Sequence, residues 1–245
     1  VTSFVENAYR SVRAYLVVKD GSEAIQKYYS ETYFRNPQTY FDSIYSTGFE
    51  DASKTSYTTG PIVSNLTNWS LNDTLIGTSA DDRKTGLKSA RLRAGYIEIT
   101  DSFTNIDLIQ FYTAIYGTNV SGTLSVYVSD DQFTWIDVTD AVSGGVINVS
   151  TTTLTLVQVK LNESANFGSS GLQTSDALYV RVTRTTGDRI NIDDFSLMSS
   201  TTNAVHEVLL DNGTSIDSEL VVNGNSVTSP NPTKTGYSFN AWYYD

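Results

Sequence analysis

The sequence contains no cysteine, which removes disulfide frameworks, zinc–thiolate sites and thiol nucleophiles together. It contains a single histidine, His206, and no Gly-x-Ser-x-Gly elbow, so nucleophilic catalysis lacks its usual partners. No Gly-rich phosphate loop is present, because Ser143-Gly144-Gly145 is followed by neither a lysine nor a helix. Basic residues are scarce: 16 Lys and Arg stand against 27 Asp and Glu, a formal net charge of −11. Such a surface repels nucleic acid, which is not expected as a partner, and suits cations or neutral ligands. No stretch is apolar enough to span a bilayer as a helix, so membrane insertion is not expected. The chain opens at Val1 without a methionine or a charged signal region and reads as a mature or internal piece of a larger protein.

What is present favours strands. Hydrophobic residues make up 39% of the 245 positions, enough for a packed core, and 16 Tyr and 10 Phe dominate the aromatics. Residues 47–200 read as short strands separated by Gly-, Asn-, Asp- and Ser-rich turns. The strand candidates are Thr47–Glu50, Trp69–Leu71, Ser89–Arg93, Tyr96–Ile99, Asp107–Thr113, Thr123–Val128, Thr134–Val138, Thr152–Lys160, Ala177–Thr183 and Arg189–Leu197. Without amphipathic helices between them, these strands predict a mainly β fold, an antiparallel jelly-roll β-sandwich. Before it, residues 1–46 carry apolar side chains at mixed three- and four-residue spacings and predict an N-terminal helical segment, broken near Gly21 and ended by Pro37. After it, 201–245 predicts strands at Val205–Leu210 and Leu220–Val222.

The central stretch is Asn191-Ile192-Asp193-Asp194-Phe195-Ser196-Leu197. Strand neighbours point to opposite faces, so one of its two aspartates must point inward or sit at a bulge. An inward carboxylate must be paired, hydrogen-bonded or bound to a metal. Gly48-Phe49-Glu50-Asp51 has the same character, and the two segments read as the first and last strands of one sandwich, meeting at an acidic site. Glu50, Asp51, Asp193 and Asp194 then supply hard oxygen ligands for a cation, or one aspartate accepts backbone amides while the other is exposed.

Sugar binding needs exposed aromatic faces beside polar groups. Trp69, Tyr112, Tyr116 and Trp135 are the candidates, although a tryptophan in a sandwich strand also suits the core. Arg91, Arg93 and Arg181 alternate with Leu92, Val180 and Val182 and so lie on outward faces, where they bind anions or are balanced by nearby acids. Asp193 and Asp194 are sequence neighbours and cannot straddle a glycosidic bond, which argues against a hydrolase.

Gly48-Phe49-Glu50, Trp69-Ser70-Leu71, Gly86–Arg93 and Asn191–Phe195 occur in the order found in secreted bacterial jelly rolls, and the segment 47–200 resembles those MAM-like and carbohydrate-binding-like modules. The resemblance implies a structural cation, Ca2+, near the first and last strands, carried by Glu50 with Asp193 or Asp194. Ser129–Trp135 resembles the hairpin turn of sialidase-type Asp boxes, one residue short and with Phe133 where glycine is expected; it reads as a structural turn. Lys234-Thr235-Gly236-Tyr237-Ser238-Phe239-Asn240-Ala241-Trp242-Tyr243 resembles part of a Listeria–Bacteroides repeat, the internalin-type B repeat, and implies a partial β-grasp-like segment over 201–245.

These readings converge on a non-catalytic, extracellular or cell-surface module of a bacterial multidomain protein, with a glycan or a surface protein as partner. Its candidate binding residues are Trp69, Tyr112, Tyr116, Arg91 and Arg93. The alternatives are an accessory domain of a secreted nuclease or glycosidase, or a structural subunit of an extracellular filament that contacts other copies of itself.

Overall fold

The computed structural model describes residues 11–19, 25–34, 38–203, 205–211 and 216–222, with side chains described over 39–201. In chain order the strands are β1 (Ser11–Lys19), β2 (Ile25–Phe34), β3 (Gln38–Thr47), β4 (Gly60–Ser64), β5 (Thr67–Gly77), β6 (Ser89–Ile99), β7 (Leu108–Ile115), β8 (Gly122–Ser129), β9 (Ile136–Asp137), β10 (Ile147–Val149) and β11 (Thr155–Lys160). A short helix α1 (Ala165–Ser170) precedes β12 (Tyr179–Thr186), β13 (Ile190–Asn203), β14 (Val205–Asp211) and β15 (Ile216–Val222). The chain forms two compact units, residues 41–200 and the strands on either side of them in sequence.

The larger unit is one curled sheet. The long β5–β6 hairpin belongs to both of its walls. The first half of β5 pairs with the second half of β6, from Trp69↔Ile99 to Asn72↔Tyr96. That end of β6 continues into β12 and then β8. Past a bulge at Asp73, the second half of β5 pairs with Ser89–Leu92, and that end of β6 pairs with β13, then β7 and β11. A Cβ on Gly95 would lie 2.0 Å from the Asn72 carbonyl oxygen, so only glycine fits there.

Both walls turn their alternate apolar residues onto one core. Leu71, Leu92, Ile97, Val126, Val128, Val180, Val182, Ile190 and Ile192 are all buried in it. Its centre is aromatic: Trp69 meets Phe195 edge-on at 5.2 Å and Phe49 at 5.4 Å, and Phe195 stacks on Phe111 at 6.2 Å.

The turn between β4 and β5 has two residues, Asn65 and Leu66, both at positive φ (45° and 64°), the type I′ pattern that matches strand twist. Leucine is a poor occupant of that conformation, and here it is 93% exposed with no packing to offset the strain. Leu66→Gly is therefore expected to stabilise the unit by about 1 kcal/mol, a rise of roughly 2–4 °C in Tm, readable by differential scanning calorimetry. An unchanged or lower Tm would mean that the turn is not strained at Leu66.

The smaller unit is a four-stranded sheet in the order β1-β2-β14-β15. Here the expectation of an N-terminal helical segment is corrected: Ser11–Lys19 and Ile25–Phe34 are strands. The mixed spacing that suggests a helix sits on runs rich in Val, Tyr and Thr, whose side chains favour extended backbone. The strands expected at Val205–Leu210 and Leu220–Val222 are present within β14 and β15. A lone hairpin is marginal in water; this one gains β2 as a neighbour, paired from His206↔Phe34 to Leu209↔Glu31. The repeat-like residues 234–243 lie outside the described residues.

Candidate functional site

The acidic stretch on β13 is built as its spacing requires. Ile190, Ile192, Phe195 and Leu197 face the core, and the pairing with β7 breaks between Asp193 and Ser196. Asp194 sits in that bulge at φ 45°. Asp193 is fully buried on the opposite side from Ile192, beneath the loop of residues 78–88, so a polar lid and not the apolar core covers it. Its Oδ2 accepts from the Thr85 amide (2.7 Å) and the Thr85 hydroxyl (3.0 Å), and its Oδ1 from the Asp194 amide (2.9 Å). Burial pushes its carboxyl above the ordinary aspartate value, against the pull of the Thr85 and Asp194 amides.

The same loop is tied down along its length. Glu50 Oε1 accepts from the amides of Leu87 (2.9 Å) and Lys88 (3.1 Å). A Cβ on Gly86 would lie 2.2 Å from that oxygen, so glycine is what lets the carboxylate in. Asn191 accepts from the Arg83 amide and donates to Asp82 and Ser89. Asp51 accepts from the Ser64 hydroxyl and the Asn65 amide; burial raises its carboxyl, but these bonds together hold it below the usual range.

Glu50 lies in the turn that follows β3, not on a strand as expected, and that turn and the bulge of β13 bring Glu50, Asp193 and Asp194 together. A Cβ on Gly48 would lie 3.3 Å from Asp194 Oδ1, 3.7 Å from Asp193 Oδ1 and 3.9 Å from Glu50 Cγ. Glu50 Oε1 and both Asp193 oxygens already accept N–H or O–H donors, and among the described residues no three His, Cys, Asp or Glu side chains are set to hold a metal ion. Glu50 and Asp193 anchor the loop.

The binding candidates separate. Trp69 is corrected: it is 1% exposed, its Nε1 donates to Tyr45 Oη at 3.0 Å, and no sugar can reach it. The alternation that puts Trp69 and Leu71 on one side of β5 puts both in the core. Tyr112 is half-buried on β7, opposite Leu156 and Asp193. Arg91, Arg93 and Tyr116 do gather. The Arg91 guanidinium lies 4.5 Å from the Tyr116 ring centre and 3.5 Å from Asp82; Arg93 lies 4.3 Å from the Tyr57 ring and pairs with Asp73 at 2.6 Å. Arg189 adds a third guanidinium, 4.4 Å from Tyr116. Arg91 and Arg93 are thus each matched to a carboxylate of this chain.

A second surface has no counterpart among those five binding candidates. On the outward face of the other wall, register lines up Ser70, Glu98, Arg181, Tyr127 and Asp137 across β5, β6, β12, β8 and β9. A neighbouring row holds Asn72, Tyr96, Thr183 and Ser125. The Arg181 guanidinium lies over two rings, 4.5 Å from the centre of Tyr96 and 3.9 Å from that of Trp135. It pairs with Glu98 at 2.7 Å, and the Gln132 side chain donates to the other Glu98 oxygen at 3.3 Å. Tyr96, Tyr127, Tyr179 and Trp135 are all partly exposed. The sequence signals Trp135 and Arg181 individually; only the strand register brings in Tyr96, Tyr127 and Tyr179.

No family model and no curated protein matches the chain. Among solved structures it is similar to the xylan-binding domain CBM22-1 of Xyn10C from Paenibacillus barcinonensis, at 13% identity over 67% of this chain and 97% of that one, TM-score 0.41. It is also similar to CBM28, a carbohydrate-binding module specific for non-crystalline cellulose, at 9% identity over 64% of this chain and 94% of that one, TM-score 0.39. A third is the K2 cleaved adhesin domain of Lys-gingipain, at 10% identity over 65% of this chain and 99% of that one, TM-score 0.37.

Proposed function

We propose that residues 41–200 form a non-catalytic glycan-binding module of an extracellular or cell-surface protein, and that a neutral sugar chain lies across the outward face of β6, β12 and β8. The observation that carries this reading is the stack of Tyr96, Arg181 and Trp135 on that face. Pyranose rings present C–H faces that pack on aromatic rings, while their hydroxyls need donors and acceptors at the rim. This face supplies both, with Tyr127, Tyr179, Gln132, Ser125 and Asn72 around the stack. Because Glu98 neutralises Arg181, and the whole chain carries −11, a polyanion is disfavoured and a neutral polysaccharide suits the surface. Rigid rings need little ordering on binding, which favours affinity.

The test is affinity electrophoresis and calorimetry against neutral polysaccharides, including xylan and amorphous cellulose. Trp135→Ala is expected to weaken binding at least about 10-fold while leaving the fold intact, because Trp135 is partly exposed and lies outside the hydrophobic core. Binding that is absent from the whole panel, or that survives Trp135→Ala unchanged, overturns the reading.

A further inference from the structure

We propose that Phe133, at the tip of the turn between β8 and β9, is a second stacking arm that holds the sugar chain one or more units beyond Trp135. The inference rests on the glycan-binding reading of that face and extends it to ligand length. Phe133 is 90% exposed, the most exposed aromatic side chain of the described residues, and its ring is not needed by the turn. The turn is made by Asp131 and Ser129. Asp131 Oδ1 accepts from the amides of Phe133 (2.8 Å) and Thr134 (2.7 Å), and Oδ2 from the Thr134 hydroxyl. Ser129 Oγ, fully buried, accepts from the amides of Asp131 and Gln132. Any residue but proline at position 133 leaves those bonds in place.

The turn is also braced to the proposed binding face. Trp135 Nε1 donates to the Gln132 carbonyl at 3.1 Å, and the Gln132 side chain reaches Glu98, the partner of Arg181. Phe133 is thus displayed by a fixed turn that shares its supports with Tyr96, Arg181 and Trp135. The amides of Thr134 and Phe133 hold the Asp131 carboxyl down to about 2, so the turn keeps its acceptor charged at any ordinary assay pH. An exposed aromatic on a hydrogen-bonded turn places apolar area in water and has only two side-chain torsions to order on contact. The occupant that matches is the apolar face of a further pyranose in the same neutral, extended chain.

The experiment compares a trimer and a hexamer of β-1,4-linked xylose or glucose by titration calorimetry on the full chain. Phe133→Ala is expected to abolish most of the affinity gained between trimer and hexamer, roughly 5- to 10-fold, with trimer affinity unchanged. Phe133→Trp is expected to restore the gain, and Phe133→Leu to leave it largely lost. A hexamer advantage that persists in Phe133→Ala overturns the arm while the face stands. An arm carried by apolar area alone would show Phe133→Leu equal to wild type, and that result also overturns it. Wild type binding neither oligomer overturns both the arm and the face.

Discussion

Replacing Trp69 by alanine is expected to lower stability by about 4 kcal/mol, the middle of the range for a large buried aromatic. The side chain is at the centre of the core, between Phe49, Phe195 and Tyr45. Its loss removes the edge-on contacts of two phenylalanines and leaves a cavity that three rings would have to close. It also strips Tyr45 Oη of its donor, although that hydroxyl still donates to the Ser64 carbonyl at 2.9 Å. Burial, the largest influence on Tyr45, raises its phenol above the ordinary value, so it stays protonated as a donor. Trp69→Phe keeps ring volume in place and is expected to cost about half as much. Denaturant unfolding of both variants reads this directly. A Trp69→Ala protein that melts like wild type and loses only glycan affinity would move Trp69 from the core to the binding face.

The second large effect is expected at Asp193. Asp193→Ala leaves the amides of Thr85 and Asp194 and the Thr85 hydroxyl without their acceptor and frees the middle of loop 78–88; about 3 kcal/mol is expected. Asp193→Asn keeps the shape but turns an N–H toward one of three donors, so it is expected to cost less, about 1–2 kcal/mol. The pH dependence has a definite sign. Because burial raises the folded pKa above the unfolded value, the stabilising contribution of the protonated group is full below about 4 and is lost as pH rises through the raised value. The Tm difference between wild type and Asp193→Asn should therefore be largest in acid and shrink with rising pH. A constant difference would place Asp193 in contact with solvent. The same melts in calcium and in chelator separate loop anchoring from cation binding. Agreement between the two is expected, and a rise of several degrees with calcium would return Glu50, Asp193 and Asp194 to the role of ligands.

Much of this was legible along single strands and little of it across them. The alternation at Ile190, Ile192 and Leu197 marks β13, and the adjacent aspartates require that one of them point inward or sit at a bulge; Asp193 is buried and Asp194 lies in the bulge. The meeting of Gly48–Asp51 with that strand was also readable, because each segment carried an otherwise costly charge. What hides Asp193 was not readable: a loop of Ser, Asp, Arg and Thr looks solvated until its amides are seen to point at Asp193 and Glu50. Trp69 was ambiguous because a strand shows which residues share a face, not which face is inside. Tyr96 and Tyr127 come from β6 and β8, Tyr179 and Arg181 from β12, and nothing local to one strand signals the residues of the others. At the N-terminus, aromatic and β-branched residues at irregular spacing satisfied a helical pattern by accident, and strand pairing with β14 decided otherwise.

The pairing of β2 with β14 has a mechanical consequence. A pull applied to the chain before β1 and after β15 enters and leaves through the four-stranded sheet, and the hydrogen bonds between β2 and β14 carry it from one side to the other. Residues 41–200 then form a side loop of that load path and bear no tension while the ladder holds. A unit inserted this way keeps its geometry under a pull that would load a sandwich strung in line, for as long as the ladder between β2 and β14, with four described residue pairs, stays closed.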